Sequence, residues 1–188
     1  MSDRNDMPMR LFRFVLLVLL VMLPAQGGAR ADGSPSREYQ LKAAFIYNFA
    51  QFVEWPGDTF SSPSAPLVIG VMGDSTLAAT LEQACRGKTA GKREIVVKSI
   101  SSLDGIGSAQ ILFISGTERD KLSELIKRAT SECVLTIGDF DGFTAASGMV
   151  RFLTEDNRLR FEVNLDAINQ GHLKFSAQLL KLARMYNK

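Results

Sequence analysis

The stretch Leu41–Pro56, LKAAFIYNFAQFVEWP, decides how the fold begins. Its large apolar side chains recur at helical spacing, at Leu41, Phe45, Phe49 and Phe52. This spacing predicts a helix with one apolar face that contributes to the core. We expect the helix to end at Trp55-Pro56, because a residue before proline is pushed out of the helical region.

The residues before this helix have the pattern of an export signal. An apolar run over residues 15–23 is preceded by arginines, and Ala29-Arg30-Ala31 follows it as an A-x-A cleavage pattern. The run is shorter than the ~20 apolar residues that span a bilayer. We predict that residues 1–31 are a cleaved signal peptide and that residues 32–188 form a single domain. The alternative is an uncleaved N-terminal anchor.

Charge argues against nucleic acid as a partner. The whole chain has 22 basic and 20 acidic residues, and four of the former and two of the latter lie in residues 1–31. Residues 32–188 therefore carry 18 of each and are formally neutral. A nucleic-acid surface would need a clustered basic stripe, which the sequence lacks.

Apolar runs alternate with helical patterns through the middle of the chain. The pattern predicts strands at residues 67–72, 94–100, 110–115 and 133–137. Between them it predicts helices, one capped by Asp74 or Ser75 and ending near Cys85, the other over about Glu118 to Thr130. Such alternation is typical of an α/β fold with a mainly parallel sheet flanked by helices.

The last third predicts a β-hairpin. Residues 149–154 and 159–164 flank the polar tetrapeptide Glu155–Arg158, which favours a four-residue loop. In that register Phe152 faces Phe161 on the inner side, and Arg151 lies opposite Glu162 on the outer side. The outer pair is expected to be a solvated ion pair.

A final helix is predicted after the hairpin. Asn164 caps a short helical turn that ends near Gly171, and the helix itself runs from about Leu173 to Tyr186. Its apolar side chains form a docking stripe, made of Phe175, Leu179, Leu182 and Tyr186.

Two cysteines raise the question of a disulfide in an exported protein. Cys85 ends the first predicted inner helix and Cys133 begins a later strand, so both are expected at the N-terminal edge of the sheet. A Cys85–Cys133 bridge is predicted. The alternative is two separate buried thiols.

The sequence offers almost nothing for catalysis. Its single histidine, His172, excludes a histidine-based metal cage, and no nucleophile elbow, CxxC, HExxH, P-loop or dinucleotide fingerprint occurs. We therefore predict a protein that is not an enzyme and has no cofactor.

A parallel sheet instead offers a crevice at the carboxyl ends of its strands. Asp74 and Ser75 follow the first long strand there, near a helix N-terminus that can hold an anion. They are candidate ligand residues; the alternative is that they only cap the helix.

Several segments together resemble the YfiR family. They are KAAFIYNFAQFVEWP, ILFIS, VLTIGDFDGFTAASGMVRF and LRFEVNLDAINQGHLKFSAQLLKLA. The resemblance covers almost all of residues 32–188 and implies half of a periplasmic-binding-protein-like fold. It also implies a periplasmic, often dimeric, repressor of an inner-membrane diguanylate cyclase, which lowers cyclic di-GMP and biofilm formation.

The resemblance implies which residues bear the partner contact. They are Glu162 and Ile168, with Arg151 beside them. The alternative is that Ile168 belongs to the core and Glu162 is only the ion-pair partner of Arg151.

Two functions of different class remain open at the level of sequence. The first is an inhibitory module that binds the periplasmic region of a membrane cyclase or sensor kinase. The second is a periplasmic sensor of a small anionic ligand. Ligand occupancy could shift a repressing conformer, so the two are compatible.

Overall fold

The computed structural model describes residues 36–187. The predicted signal peptide, residues 1–31, lies outside this range. Among the described residues, no helix is both long and apolar enough to cross a membrane.

The described residues form ten strands, which build two sheets. The strands are β1 (Val53–Glu54), β2 (Leu67–Met72), β3 (Thr89–Ala90), β4 (Arg93–Ser99), β5 (Ile111–Ile114), β6 (Leu135–Gly138), β7 (Val150–Glu155), β8 (Arg158–Val163), β9 (Lys174–Phe175) and β10 (Arg184–Met185). The central sheet has eight strands in the order β10-β8-β7-β6-β5-β2-β4-β3. Neighbouring strands in it run parallel except at the β7–β8 and β3–β4 pairs. A separate two-stranded antiparallel sheet joins β1 to β9.

Helices cover both faces of this sheet. They are α1 (Arg37–Phe52), α2 (Ser75–Cys85), α3 (Leu122–Ser131), α4 (Leu165–Gln170) and α5 (Ala177–Leu180), with 3-10 turns at Leu103–Ser108 and Gly116–Lys121. Alternate residues of β2 enter two separate hydrophobic clusters: Ile69 packs with α1 and α2, and Val68 packs with α3. The predicted α/β fold with a mainly parallel sheet is confirmed.

Helix α1 is present, but its buried face differs from the expected one. Phe49 is fully buried and Phe45 partly so, whereas Leu41 and Phe52 are each 40 % exposed. The buried face is instead formed by Lys42, Ala43, Ile46, Phe49 and Ala50. The helix ends at Phe52, before the predicted Trp55-Pro56, because Val53 turns extended and pairs with β9.

The hairpin has the predicted register with a shorter turn. Phe152 pairs with Phe161 and Arg151 with Glu162, as expected, but Glu155 and Arg158 also pair. The predicted four-residue loop is therefore wrong, and only Asp156 and Asn157 lie in the turn. Both have positive φ, 49° and 57°, as a type I′ turn requires.

The predicted final helix over residues 173–186 is wrong. That segment instead forms β9, the four-residue α5 and β10. Pairing decides the outcome: β9 joins β1, and β10 adds to the sheet beside β8. Leu179 is buried as the docking stripe required, while Leu182 is 67 % exposed.

The far edge of the sheet is only partly covered. Strand β3 pairs with β4 at Glu94 and Arg93 alone. The carboxyl half of β4 therefore forms the open edge, and Lys98 and Ser99 are exposed there.

Candidate functional site

Asp74 and Ser75 lie where the sequence predicts them, directly after β2. The Asp74 carboxylate accepts a hydrogen bond from the Leu77 backbone N–H at 2.9 Å and so caps α2. Ser75 is exposed in the first turn of that helix. The predicted capping is confirmed, and ligand binding at these residues stays a prediction.

Lysine 42 joins α1 to the same edge of the sheet. Its Nζ lies 2.7 Å from Asp139 Oδ2, just beyond β6, and 2.7 Å from Glu38 Oε1 one turn earlier. Although Lys42 is only 6 % exposed, its charge is paired. Burial lowers its pKa, but the hydrogen bonds to Asp139 and Glu38 outweigh burial and raise the pKa above its ordinary value.

Tyrosine 39 completes this polar cluster. Burial and the neighbouring Asp74 carboxylate, through its charge and a hydrogen bond, raise the pKa of Tyr39. A tyrosine phenol is protonated at neutral pH, so it can donate this hydrogen bond to Asp74. The carboxylates of this cluster already have partners, since Glu38 and Asp139 pair with Lys42 and Asp74 caps α2. The cluster therefore holds α1 against the sheet. Its signal in the sequence is the i,i+4 spacing of Glu38 and Lys42, which the periodicity of apolar residues does not single out.

A second polar surface lies on β7, β8 and β10, on the side of the sheet away from α1. We call it the open face, since neither hydrophobic cluster contains any of its side chains. It consists of Arg151, Leu153, Glu155, Arg158, Arg160, Glu162 and Arg184.

Glu162 is the centre of the open face and is only 6 % exposed. The Thr144 hydroxyl donates to Glu162 Oε1 at 2.6 Å. Arg151 Nε lies 3.4 Å from the same oxygen, and Arg184 Nε lies 3.9 Å from Oε2. The expectation of a solvated Arg151–Glu162 pair is therefore wrong, because a hydroxyl and two arginines enclose the carboxylate.

Arg151 is held from two sides. Its Nη1 donates to Asp141 Oδ1 at 2.6 Å, while Nε is buried and has no hydrogen-bond partner among the described residues. Asp141 comes from the loop after β6, which also supplies Thr144. One loop thus fixes both members of the predicted partner-binding pair.

Ile168 is not a surface residue. Its side chain is 2 % exposed and belongs to the larger hydrophobic cluster. It lies on α4, whose N-terminus is capped by the Asn164 side chain. The expectation that Ile168 anchors a partner at the surface is corrected: the core alternative describes its position.

The two cysteines are separate free thiols, so the predicted Cys85–Cys133 bridge is not formed. Cys85 is buried with α1 and α2 in one cluster, whereas Cys133 follows α3, which packs on the other face of the sheet. Burial raises the pKa of both thiols, and Asp58 and Glu132 raise that of Cys133 further.

The described residues contain no group of three or more His, Cys, Asp or Glu side chains that could hold a metal. His172 is exposed and has a positive φ of 56° at the turn after α4. This is a turn position on the surface of the fold.

Solved structures of similar fold are distant in sequence. A conserved domain protein from Vibrio cholerae O1 biovar El Tor strain N16961 matches with a TM-score of 0.51 and 10 % identity, over 79 % of this chain and 60 % of that one. The ABC domain in complex with L-Trp from Streptococcus pneumoniae matches at TM-score 0.44 and 11 % identity, over 63 % and 54 %. The substrate-binding protein CD0873 from Clostridium difficile, in its ligand-free open form, matches at TM-score 0.45 and 11 % identity, over 65 % and 55 %.

The chain thus spans 60 % or less of the length of these structures. No curated protein matches it. A family match, by contrast, extends over residues 39–184, from the first turn of α1 to the start of β10. Since this range covers well over half of the chain, the chain belongs to the YfiR/HmsC-like family.

Proposed function

We propose that this protein is a periplasmic regulator that binds the periplasmic domain of a membrane diguanylate cyclase and represses it. Family membership supports a periplasmic regulator of diguanylate cyclase signalling. Repression of the cyclase, with lower cyclic di-GMP and less biofilm, is the finer part of the proposal.

The open face is the observation that carries this proposal. It is a surface of three strands whose side chains lie outside both hydrophobic clusters. Two of its four arginines, Arg151 and Arg184, are held in place by carboxylates. Leu153 is half-buried between them. An apolar side chain surrounded by fixed charges suits a protein interface, because the apolar group gains from burial and the charges select the partner.

The charges of the open face favour an acidic partner surface. The strands contribute four arginines and two glutamates to it, namely Arg151, Arg158, Arg160 and Arg184 against Glu155 and Glu162. Arginine is well suited to this role, since its planar guanidinium can bind a carboxylate through two hydrogen bonds. We therefore propose that the cyclase domain presents carboxylates to the open face.

Glu162 and Arg151 both belong to the proposed partner-binding surface, but they act in different ways. Because Glu162 is almost fully buried, it acts by positioning Arg151 and Arg184 rather than by contacting the partner. Ile168 supports this surface from the core and is not itself a contact.

The experiment replaces Arg160 by glutamate in a strain that lacks the native gene. Arg160 is exposed on the open face, so its charge can be reversed without disturbing the core. We expect Arg160→Glu to raise cellular cyclic di-GMP toward the level of the deletion strain and to weaken binding of the cyclase domain at least about tenfold. The melting temperature of the protein should not change.

Arg86→Glu is the matched control. Arg86 is also an exposed arginine, but it lies at the end of α2, outside the open face. It should repress like the wild type. If folded Arg160→Glu represses as well as Arg86→Glu, the open face is not the repressing surface.

Export is a further part of the proposal. Cleavage after Ala31 predicts that the periplasmic protein begins at Asp32, which N-terminal sequencing would test. Exported protein that begins at Met1 would contradict this prediction.

A further inference from the structure

A hollow of about 480 Å³ lies between α3, the loop after β6 and the turn after α4. We call it the α3 hollow, and its volume is typical of sites for small organic ligands. Its lining includes the polar side chains of Lys127, Thr130, Ser147, Gln170 and His172. Neither Asp74 nor Ser75 lines it, so it is a different site from the ligand crevice that the sequence predicts.

The α3 hollow presents hydrogen-bond donors and no carboxylate. The Lys127 ammonium group has no acidic partner among the described residues. The side chains of Ser147, Gln170 and His172 likewise make no hydrogen bond within the described part of the chain. A group of unpaired donors beside a positive charge suits an anionic ligand.

The kinds of donor favour a phosphate group over a carboxylate. A carboxylate is best matched by the planar fork of an arginine, and no arginine is among the described residues that line the α3 hollow. Phosphate has several oxygens that accept hydrogen bonds in different directions. It therefore matches a lysine point charge and single donors that come from three separate elements.

Two of the lining side chains occupy backbone positions at which glycine is usual. Ser147 and His172 have positive φ, 71° and 56°. The Ser147 N–H donates to the Thr144 carbonyl at 3.1 Å, and the His172 N–H donates to the Asn169 carbonyl at 3.0 Å, as at the end of a helical turn. Side chains at such positions cost stability that glycine would retain, and residues of this kind cluster at binding sites.

Two walls of the α3 hollow are tied to the open face through Thr144. Its hydroxyl donates to Glu162 at 2.6 Å, and its carbonyl accepts a hydrogen bond from the Asn164 side chain at 3.0 Å. Asn164 in turn caps α4. A ligand that bridges the walls therefore favours the arrangement in which the open face is held as described.

We propose that the α3 hollow binds a phosphate group, either free or carried by a small organic molecule, and that its occupancy strengthens binding of the partner at the open face. The first part is independent of the proposed function. The second part rests on it.

The test is isothermal titration calorimetry of the exported, purified protein with inorganic phosphate, with glycerol 3-phosphate and with glycerol. We expect a dissociation constant below about 1 mM for at least one of the two phosphates, and no binding of glycerol. Tighter binding of glycerol 3-phosphate would assign the site to an organic phosphate. Equal or tighter binding of inorganic phosphate would assign it to the free ion.

Variants of the lining residues locate the site. Lys127→Gln should weaken binding at least about tenfold, because it removes a charged donor. Ser147→Gly and His172→Gly should each weaken binding about threefold without lowering the melting temperature, because glycine accepts positive φ. The matched controls are Lys121→Gln, an exposed lysine outside the hollow, and Asn157→Gly, a positive-φ residue in the hairpin turn. Both controls should bind like the wild type.

The regulatory part is measured by binding of the cyclase domain with and without the phosphate ligand. The ligand should tighten this binding about fivefold or more in the wild type, and less in Lys127→Gln at the same ligand concentration. Failure of both phosphates to bind overturns the proposal, as does binding that Lys127→Gln leaves unchanged or that glycerol reproduces. Phosphate binding without a change in cyclase binding overturns the regulatory part alone. A cyclase domain that does not bind at all overturns the proposed function, and the regulatory part with it, while the phosphate site stands.

Discussion

Replacing Lys42 by methionine should destabilise the fold more than any other change of a single charge on α1. Methionine keeps the apolar part of the side chain but removes the ammonium group. Asp139, whose side chain is 22 % exposed, then loses the cation that lies 2.7 Å from it.

The magnitude follows from how deeply each partner is buried. Breaking a fully buried ion pair costs about 3 to 5 kcal/mol, because one charge is left without compensation. Water can partly reach Asp139, so we expect a loss of about 2 to 3 kcal/mol in the free energy of unfolding. In a domain of this size that loss lowers the melting temperature by roughly 5 to 10 °C.

Differential scanning calorimetry of Lys42→Met and of the control Glu38→Gln would measure this difference. The Glu38 side chain is 58 % exposed, so its i,i+4 pair with Lys42 should contribute only about 0.5 kcal/mol. Adding Asp139→Asn to Lys42→Met should recover part of the loss, since no unpaired carboxylate remains. Equal losses for Lys42→Met and Glu38→Gln would refute the reasoning.

The same pair predicts a dependence on pH. The folded protein raises the pKa of Lys42 above its ordinary value of 10.5. Stability from this pair is therefore fully present below pH 10.5 and is lost as the pH rises through the higher folded pKa. The stability difference between the wild type and Lys42→Met should be constant near neutral pH and shrink in that alkaline range; a difference that shrinks below pH 9 would point to another group.

Three further predictions follow from the fold. Ile168→Ala should lower the free energy of unfolding in urea by about 2 to 5 kcal/mol, as expected for a buried side chain, and a loss below about 1 kcal/mol would contradict its place in the core. Asn157→Val should cost about 1 to 2 kcal/mol because Asn157 has a positive φ, whereas Asn157→Gly should cost nothing; equal melting temperatures would argue against the two-residue turn. Mass spectrometry under non-reducing conditions should find both thiols free, with half-buried Cys133 reacting before buried Cys85, and a bridged species would contradict the observed arrangement.

Local signals in the sequence were sufficient where an element depends mainly on its own residues. The apolar run Leu67–Met72 is a strand with the predicted bounds, and Asp74 caps the next helix. The pairing of Phe152 with Phe161 also follows from the alternation of apolar and polar residues on either side of a short turn.

Local sequence patterns predicted the wrong element where a segment pairs with a distant part of the chain. The last segment has helical spacing, yet pairing with β1 and β8 draws Lys174–Phe175 and Arg184–Met185 into strands. The periodicity of apolar residues also predicts that α1 has an apolar side, but it does not determine which residues of the helix pack against the sheet. A lysine could not be assigned to the buried face, because its partner Asp139 is 97 positions away along the chain.

The candidate site was predictable in part. The cross-strand pairing of Arg151 with Glu162 follows from the hairpin register. Their burial does not, since it depends on Thr144 and Asp141 from the preceding loop. The sequence does not decide whether Ile168 lies on the surface or in the core, because a short helix such as α4 has too few residues to define a face.

The partly covered edge of the sheet has a consequence for aggregation of the protein at high concentration. Residues 32–188 carry equal numbers of basic and acidic side chains, so long-range repulsion between copies is weak and a bare strand would act as a template for another chain. Here β3 pairs with the first part of β4, and the remainder of that edge carries the exposed charge of Lys98, which disfavours the addition of another strand. An exposed lysine on an edge strand is one of the ways in which proteins avoid edge-to-edge aggregation.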